Sequence, residues 1–353
     1  MIDLLCLDKN DMETLMVDAG FPGYRGRQLY EWCHCKEATN LQSMTNLPRD
    51  LKDWLAKYAV IGKGRCLDTL YGSDDQTVKF LLEFPEKTAI ETVLMRYERE
   101  SARNRNTICV STQAGCAMGC QFCATALNGL QRNLSTGEII EQVNYGNRYL
   151  SRKKESHITN VVYMGMGEPL ANWNAVWKSI TILNDAKNIG MRRITVSTSG
   201  LVPQIRKITE LNPQFTLAVS LHAPNDALRN RLMPINRKYP IKDLINALDE
   251  YAEKTGRRVT IEYALFDGVN DSEEIAKELV TLLKGRLVHV NLLPGNPVKE
   301  TGLRRSNEKN VVQFLKHLEI NGIEATLRES RGQDIDGACG QLRAKKKDCI
   351  DNQ

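Results

Sequence analysis

The spacing of apolar residues changes along the chain, and the changes divide it. From 9 to 19 apolar residues recur at helical intervals until Gly20-Phe21-Pro22-Gly23 stops the run. Residues 24–35 can continue as a second helix. Leu47-Pro48-Arg49-Asp50 opens a third, with Pro48 near the first turn, where a missing N–H is tolerated. The period then drops to two. Residues 77–84 alternate apolar and polar and read as a strand, 90–95 read as another, and the gap between them is short enough for a hairpin.

From about 106 the pattern becomes one of strands alternating with helices. Strands are expected at 106–111, 159–164, 193–198, 216–221, 258–265 and 287–293, and helices at 136–150, 173–187, 201–211, 241–254, 272–284 and 306–321. Six such βα units fit either a partial barrel or a doubly wound sheet. The distinctive residues sit where strands end: the loop after 111, Gly165-Met166-Gly167-Glu168, Ser197, Ser220-Leu221-His222 and Asn296. Barrel enzymes place their sites on that rim, so the expected fold is α/β, a partial (β/α)6 TIM-like barrel. Residues 1–90 are expected as a small helical accessory domain, 91–343 as the catalytic domain and 344–353 as a basic tail. Periodicity is weak from 331 onward, and loop is expected there.

Composition narrows the class. The chain has 353 residues, 42% hydrophobic and 26% charged, as ordinary globular proteins do. No apolar run approaches a membrane span and the N-terminus has no signal-peptide pattern, so a soluble, cytoplasmic protein is expected. Ten cysteines in a reducing compartment then read as ligands, catalysts or buried thiols rather than a disulfide framework. The net charge of +5, from 48 basic and 43 acidic residues, permits a nucleic-acid partner without demanding one. Arg96, Arg99, Arg103 and Arg105, and the run Lys345-Lys346-Lys347, are local basic clusters that equally suit a solvated face or a tail.

The chemistry concentrates in Gly115-Cys116-Ala117-Met118-Gly119-Cys120-Gln121-Phe122-Cys123, which follows the first strand of the βα array. Thiolates at this spacing converge on one centre if the backbone curls, and Gly115 and Gly119 permit that curl. Offsets of four and seven would also put the cysteines on one helix face, but the two glycines and the preceding strand argue against a helix. A structural zinc site takes four protein ligands, and an ordinary four-iron cluster four cysteines. Three suggest a cluster with one iron left open.

Strand, cysteine loop and βα array together resemble the radical S-adenosylmethionine (radical SAM) superfamily. Further blocks resemble the RlmN family of adenine-C2 RNA methyltransferases. They are Met164-Gly165-Met166-Gly167-Glu168-Pro169-Leu170, Ser197-Thr198-Ser199-Gly200, Ser220-Leu221-His222-Ala223-Pro224-Asn225 and Asp334-Ile335-Asp336-Gly337-Ala338-Cys339-Gly340-Gln341-Leu342. The resemblance spans nearly the whole chain and implies that the N-terminal helices form a helix-hairpin-helix-like domain. The related Cfr enzymes, which methylate adenine C8, share the cysteine blocks. The closer match, including Arg331-Gly332 before Asp334, favours C2.

The resemblance implies that Cys116, Cys120 and Cys123 hold one 4Fe-4S cluster, whose open iron binds the amino and carboxylate groups of S-adenosylmethionine. Two S-adenosylmethionines are used per turnover. Adenine C2 is electrophilic and has no lone pair, so it cannot attack the methyl group directly. Cys339 takes a methyl group as a thiolate nucleophile. A 5′-deoxyadenosyl radical from the second S-adenosylmethionine removes hydrogen from that methyl, and the thio-methylene radical adds to C2. A base, assigned by motif position to Glu91, removes the C2 proton. Cys109 then attacks Cys339, releasing the product and leaving a transient disulfide. Read by themselves, these residues allow other roles. Cys109 suits a core thiol or a fourth metal ligand, and Glu91 a salt-bridged strand carboxylate. Cys339 has small neighbours that would let a loop reach a buried site.

For S-adenosylmethionine, the resemblance implies contacts at Gly167, Glu168, Ser197, Ser220, Leu221, His222 and Asn296. A carboxylate can accept from the ammonium group, while His222 alone equally fits a structural histidine. Cys6, Cys33, Cys35, Cys66 and Cys349 match no functional position, and Cys33-His34-Cys35 falls short of a four-ligand zinc set. The implied RNA partners are an adenosine of 23S rRNA in the peptidyl-transferase region and the adenosine 3′ of the anticodon in tRNA. An electron donor such as flavodoxin or ferredoxin, no membrane and a monomeric state are expected. A reading from another class is a zinc-stabilised RNA-binding module with Cys109 or Cys339 as fourth ligand. It requires a colourless zinc protein where the first requires a brown iron–sulfur one.

Overall fold

The computed structural model describes residues 1–97 and 105–344. Arg99 and Arg103 of the arginine cluster, the lysine run Lys345-Lys346-Lys347 and Cys349 lie outside the described residues.

The N-terminal unit is helical. Asp8 and Asp11 form a capping box that starts α1 (Lys9–Asp18), α2 (Tyr24–Tyr30) runs on as a π turn over Glu31–Cys35, and α3 (Arg49–Tyr58) follows Pro48. Leu4, Met12, Met16, Leu29, Cys33, Leu51 and Leu55 close a core of their own. The unit is fixed to the rest by polar contacts. Lys187 Nζ donates to the His34 carbonyl at 2.9 Å and to Glu37 at 2.6 Å, and Tyr30 Oη to Asp185 at 2.8 Å.

Among the described residues ten strands form one sheet whose order in space is their order in sequence. β1 (Arg65–Tyr71), β2 (Thr77–Phe84) and β3 (Thr88–Tyr97) are antiparallel neighbours, and β3 is antiparallel to β4 (Arg105–Cys109). From β4 the sheet is parallel, through β5 (Asn160–Tyr163), β6 (Ile194–Thr198), β7 (Thr216–Ser220), β8 (Val259–Leu265), β9 (Val288–Pro294) and β10 (Ala325–Leu327). The crossovers are α4 (Thr136–Arg152), α5 (Trp173–Ala186), α6 (Val202–Leu211), then α7 (Asp226–Leu232) with α8 (Ile241–Thr255), α9 (Glu273–Leu283) and α10 (Glu308–Ile320). Parallel strands that advance one step at a time through right-handed crossovers place every helix on one face and curl the sheet. The curl is visible in one cleft that draws its walls from the ends of β5, β6, β7, β8 and β9. The fold is therefore α/β with a mostly parallel, barrel-like sheet. Among the described residues no helix is long and apolar enough to cross a membrane.

The expected strands and helices of the βα array are all present. The strands at 77–84 and 90–95 are present too, but their packing differs from expectation. Val78, Phe80, Ile90 and Val93 belong to the core of the sheet, while the N-terminal cluster takes residues up to Ile61 and, beyond them, Ala186 of α5. The break in packing thus falls near 61, not near 90.

Candidate active site

After β4 the chain turns into a short hairpin, Gln113–Gly115 against Leu130–Asn133, that carries the cysteine loop. Gly115 has φ +75°, and a Cβ there would lie 1.9 Å from the Gly129 carbonyl oxygen, so only glycine fits. The same carbonyl accepts from the Cys116 N–H at 2.9 Å, which sets the first thiol in place.

Cys116, Cys120 and Cys123 line one cleft of about 1060 Å³, its open mouth included. Burial pushes the Cys116 thiol up to about 12, and burial together with the other two sulfurs raises Cys120 as well. Bare, these groups are protonated thiols. A bound cationic centre reverses that preference and takes them as thiolates. Among the described residues no three His, Cys, Asp or Glu side chains converge on a point suited to a single ion. Three thiols spread along one wall instead suit a polynuclear cluster, in which each cysteine takes a different iron. The residues present therefore fit a 4Fe-4S cluster.

Opposite the loop lies Gly165-Met166-Gly167-Glu168. Gly167 has φ +100°, and a Cβ on it would meet Gln113 Cβ at 2.5 Å, so the segment passes tightly under the hairpin. Glu168 is buried, and its carboxylate accepts from the Leu170 N–H at 3.0 Å and the Ser199 N–H at 2.8 Å. Burial raises its pKa and those two donors oppose the rise. Ser197, Ser220 and Asn296 also line the cleft. His222 does too, with φ +56° and Nδ1 accepting from the Ala264 N–H at 2.9 Å, which leaves its proton on Nε2. Burial, and then Arg229, lower its pKa to about 3, so the ring is a neutral donor. Leu221 lies between Ser220 and His222 in sequence. Its side chain is fully buried and does not line the cleft.

Cys339 stands on the segment after β10 and lines two cavities. One is the cleft of the three cysteines; the other is lined by Cys109, Val93, Tyr97, Arg328 and Arg331. Both cysteines are free thiols. Burial, reinforced by Cys339, pushes the Cys109 thiol up to about 12, and Arg328 opposes the rise. Cys339 in turn raises the pKa of Arg328 despite its burial. The segment is sewn to the cleft wall: Ala124 N–H donates to the Gly340 carbonyl at 2.7 Å and Thr125 Oγ1 to that of Leu342 at 2.6 Å. Asn296 Nδ2 donates to the Cys339 carbonyl at 3.0 Å, and Asn296 Oδ1 accepts from Gln333 at 2.8 Å. Asn296 therefore orients the cysteine as well as facing the cleft.

Glu91 lines neither cavity. It pairs with Lys79 at 3.0 Å, with about 7% and 6% of the two side chains exposed, and accepts from the Arg343 N–H at 2.8 Å. Lys79 Nζ donates onward to the Asp336 carbonyl at 3.2 Å. Removing one member of a buried pair strands the other charge. Lys79→Met is expected to cost about 3–5 kcal/mol in denaturant unfolding; a loss below ~1 kcal/mol would mean that Glu91 finds another counter-charge.

Arg96 does not reach outward: it pairs with Glu155 at 2.7 Å and is mostly covered. Arg304 and Arg305 are exposed. Three site residues had no sequence motif to mark them: Lys79, Arg328 and Arg229. For Lys79 a signal existed, because a turn at 85–87 places 79 and 91 on one face of the hairpin as diagonal neighbours.

Comparison with known proteins agrees with this geometry. The model of the radical SAM superfamily matches residues 110–280, and that of the ribosomal RNA large subunit methyltransferase N-terminal domain matches residues 2–61. The chain is 46% identical over 352 residues to a protein of Moorella thermoacetica named probable dual-specificity RNA methyltransferase RlmN, covering 99% of each. It is 48% identical over 340 residues to the protein of that name from Pelotomaculum thermopropionicum, covering 95% of this chain and 89% of that one. The crystal structure of a radical SAM methyltransferase from Sphaerobacter thermophilus matches with a TM-score of 0.93 and 45% identity, covering 98% of this chain and 100% of that one.

Proposed function

Because the chain belongs to the RlmN family of radical SAM RNA methyltransferases, we propose that it methylates C2 of adenosine in 23S rRNA and in tRNA, through a methylated Cys339 and a transient Cys109–Cys339 disulfide. As in its superfamily, it uses a 4Fe-4S cluster and S-adenosylmethionine. The observation that carries the reading is Cys339, shared between the cleft of the three cysteines and the cavity of Cys109.

Held by Cys116, Cys120 and Cys123, the cluster with S-adenosylmethionine supplies the methyl group and a hydrogen-abstracting radical. Glu168, Ser197, Ser220, His222 and Asn296 orient S-adenosylmethionine, while Gly167 admits it closely and the Leu221 backbone holds the floor. Cys339 carries the methyl from the cleft to the second cavity, where an unstacked adenine is offered. Arg328 favours the thiolate of Cys109, whose attack on the Cys339 sulfur forms the S–S bond and breaks the S–C bond, the electron pair leaving on the methylene carbon, which takes a proton to become the product's methyl group. Glu91 takes the C2 proton once segment 336–343 shifts and uncovers it.

Anaerobically purified protein is expected to be brown and to modify both RNA classes, with 2-methyladenosine in the digested nucleosides by mass spectrometry. Mainly 8-methyladenosine would overturn the choice of carbon, and a colourless zinc protein the whole reading.

The N-terminal unit is the proposed RNA-handling piece, distinct from the catalytic domain. Tyr24 and Tyr58 are exposed there, with Arg25 and Lys57 over their rings at 4.7 and 5.0 Å. Aromatic faces beside cations suit single-stranded RNA. Replacing Arg27, Arg49 and Lys57 by Glu is expected to weaken RNA binding roughly tenfold or more at low salt; unchanged binding in a filter or polarisation assay would remove that role. A small electron-transfer protein such as flavodoxin or ferredoxin as reductant, a monomeric state and a cytoplasmic setting complete the proposal.

A further inference from the structure

Arg229, on α7, is fully buried. Its Nε donates to the Leu221 carbonyl at 3.2 Å and its Nη1 to Asn236 Oδ1 at 2.9 Å. Its Nη2 donates to the Ser199 and Ser220 carbonyls at 2.7 and 3.1 Å. All four acceptors are neutral. Asp226 lies near, but its Oδ1 is held by Asn236 Nδ2 at 2.8 Å and the Ile241 N–H at 2.9 Å. Asp226 therefore acts on the guanidinium only through space, a buried charge hydrogen-bonded solely by neutral dipoles is expensive, and tying β6 to β7 does not by itself require a cation.

Two of those acceptors, Ser199 and Ser220, belong to residues that line the cleft, Cys120 is within electrostatic reach of the guanidinium, and the end of α7 packs on the cysteine loop. The Gln121 N–H, one residue past Cys120, donates to the carbonyl of Leu232 at the end of α7 at 2.9 Å, and Met233 lines the cleft. Burial lowers the pKa of Arg229 only to about 10, so it stays protonated at neutral pH.

We propose that Arg229 is a positioning residue that keeps a permanent positive charge near the loop of Cys116, Cys120 and Cys123 and so favours reduction of the cluster bound there. The inference rests on the reading of that loop as the cluster site. Reduction brings one electron from the external donor and leaves the cluster more negative, with no bond made or broken at Arg229. A fixed buried cation stabilises the reduced state over the oxidised one. The same side chain also fixes the Ser199, Ser220 and Leu221 carbonyls, so charge and shape must be separated experimentally.

Redox titration of the intact protein, followed by electron paramagnetic resonance, separates them. Arg229→Met is expected to lower the equilibrium constant for reduction about tenfold or more, a fall of 59 mV per tenfold for a one-electron couple. Arg229→Lys is expected to keep the parent potential at neutral pH and to lose it as pH rises, because a buried ammonium gives up its proton more readily than a guanidinium. An Arg229→Met protein with a full cluster and the parent potential overturns the proposal. So does an Arg229→Lys protein with a lowered, pH-independent potential. If only Arg229→Met fails to assemble a cluster, the pH dependence of Arg229→Lys decides. If neither assembles one, Arg229 is a structural residue and the proposal falls. A parent protein without iron and sulfide is a different failure, that of the cluster reading itself.

Discussion

Cys339→Ala protein is expected to retain its iron and its fold yet form no methylated adenosine, a loss of at least ~10³-fold in product. Cys339 is exposed and, among the described residues, is the one thiol that lines both cavities. If it carries the methyl group, no other residue substitutes. Neighbouring Gly337 and Gly340 cannot hold a methyl, and Cys109 is confined to the second cavity. The measurement is mass spectrometry of digested RNA beside iron analysis of the same preparation. Product from a Cys339→Ala enzyme within about tenfold of the parent would mean the methyl group bypasses this residue.

Cys109→Ala is expected to give the opposite kind of failure, an enzyme that starts the reaction and never lets go. With no second thiol to attack Cys339, the RNA remains joined to the protein through the new carbon. Turnover then stops at one adduct per chain or fewer, and the adduct survives denaturing electrophoresis. The buried thiol contributes little to stability, about 1 kcal/mol for a change this small, so the variant should remain folded. Cys109→Ala combined with Cys339→Ala should form no adduct, which fixes the site of attachment. Normal multiple turnover by Cys109→Ala would dismiss Cys109 from the proposed release step.

Much of this arrangement was legible in the residues, and the exceptions have physical reasons. The βα array announced itself through repeated switches of apolar period, and the three cysteines through their spacing between two glycines. Both are local signals. β1 and β10 were missed because they are edge strands with mixed exposure, and α7 because seven residues are too few for a helical period to stand out. In sequence, hairpin 77–97 looks alike whether it belongs to a small domain or extends a large sheet. Only the packing of Val78 and Phe80 into the main core distinguishes the two. The partners of the reactive groups were least visible. Arg328 lines the cavity of Cys109 and Cys339 from a place in sequence far from Cys109, and Arg229 holds the carbonyls of the cleft residues Ser199 and Ser220 from a helix with no motif. Glu91 was readable either as a base or as a salt-bridged carboxylate, and in this conformation it is the second.

That last contact has a temporal meaning. Lys79 grips the Asp336 carbonyl three residues before Cys339, and Glu91 grips the Arg343 N–H four residues after it. The segment that carries Cys339 and the carboxylate proposed to receive a proton are thus latched to each other. Neither comes free alone. Whatever dislodges that segment, such as an adenine pressing into the cavity above Cys109, unmasks the base in the same motion. On the proposed roles, such an interlock would tie exposure of the base to movement of the segment that bears Cys339.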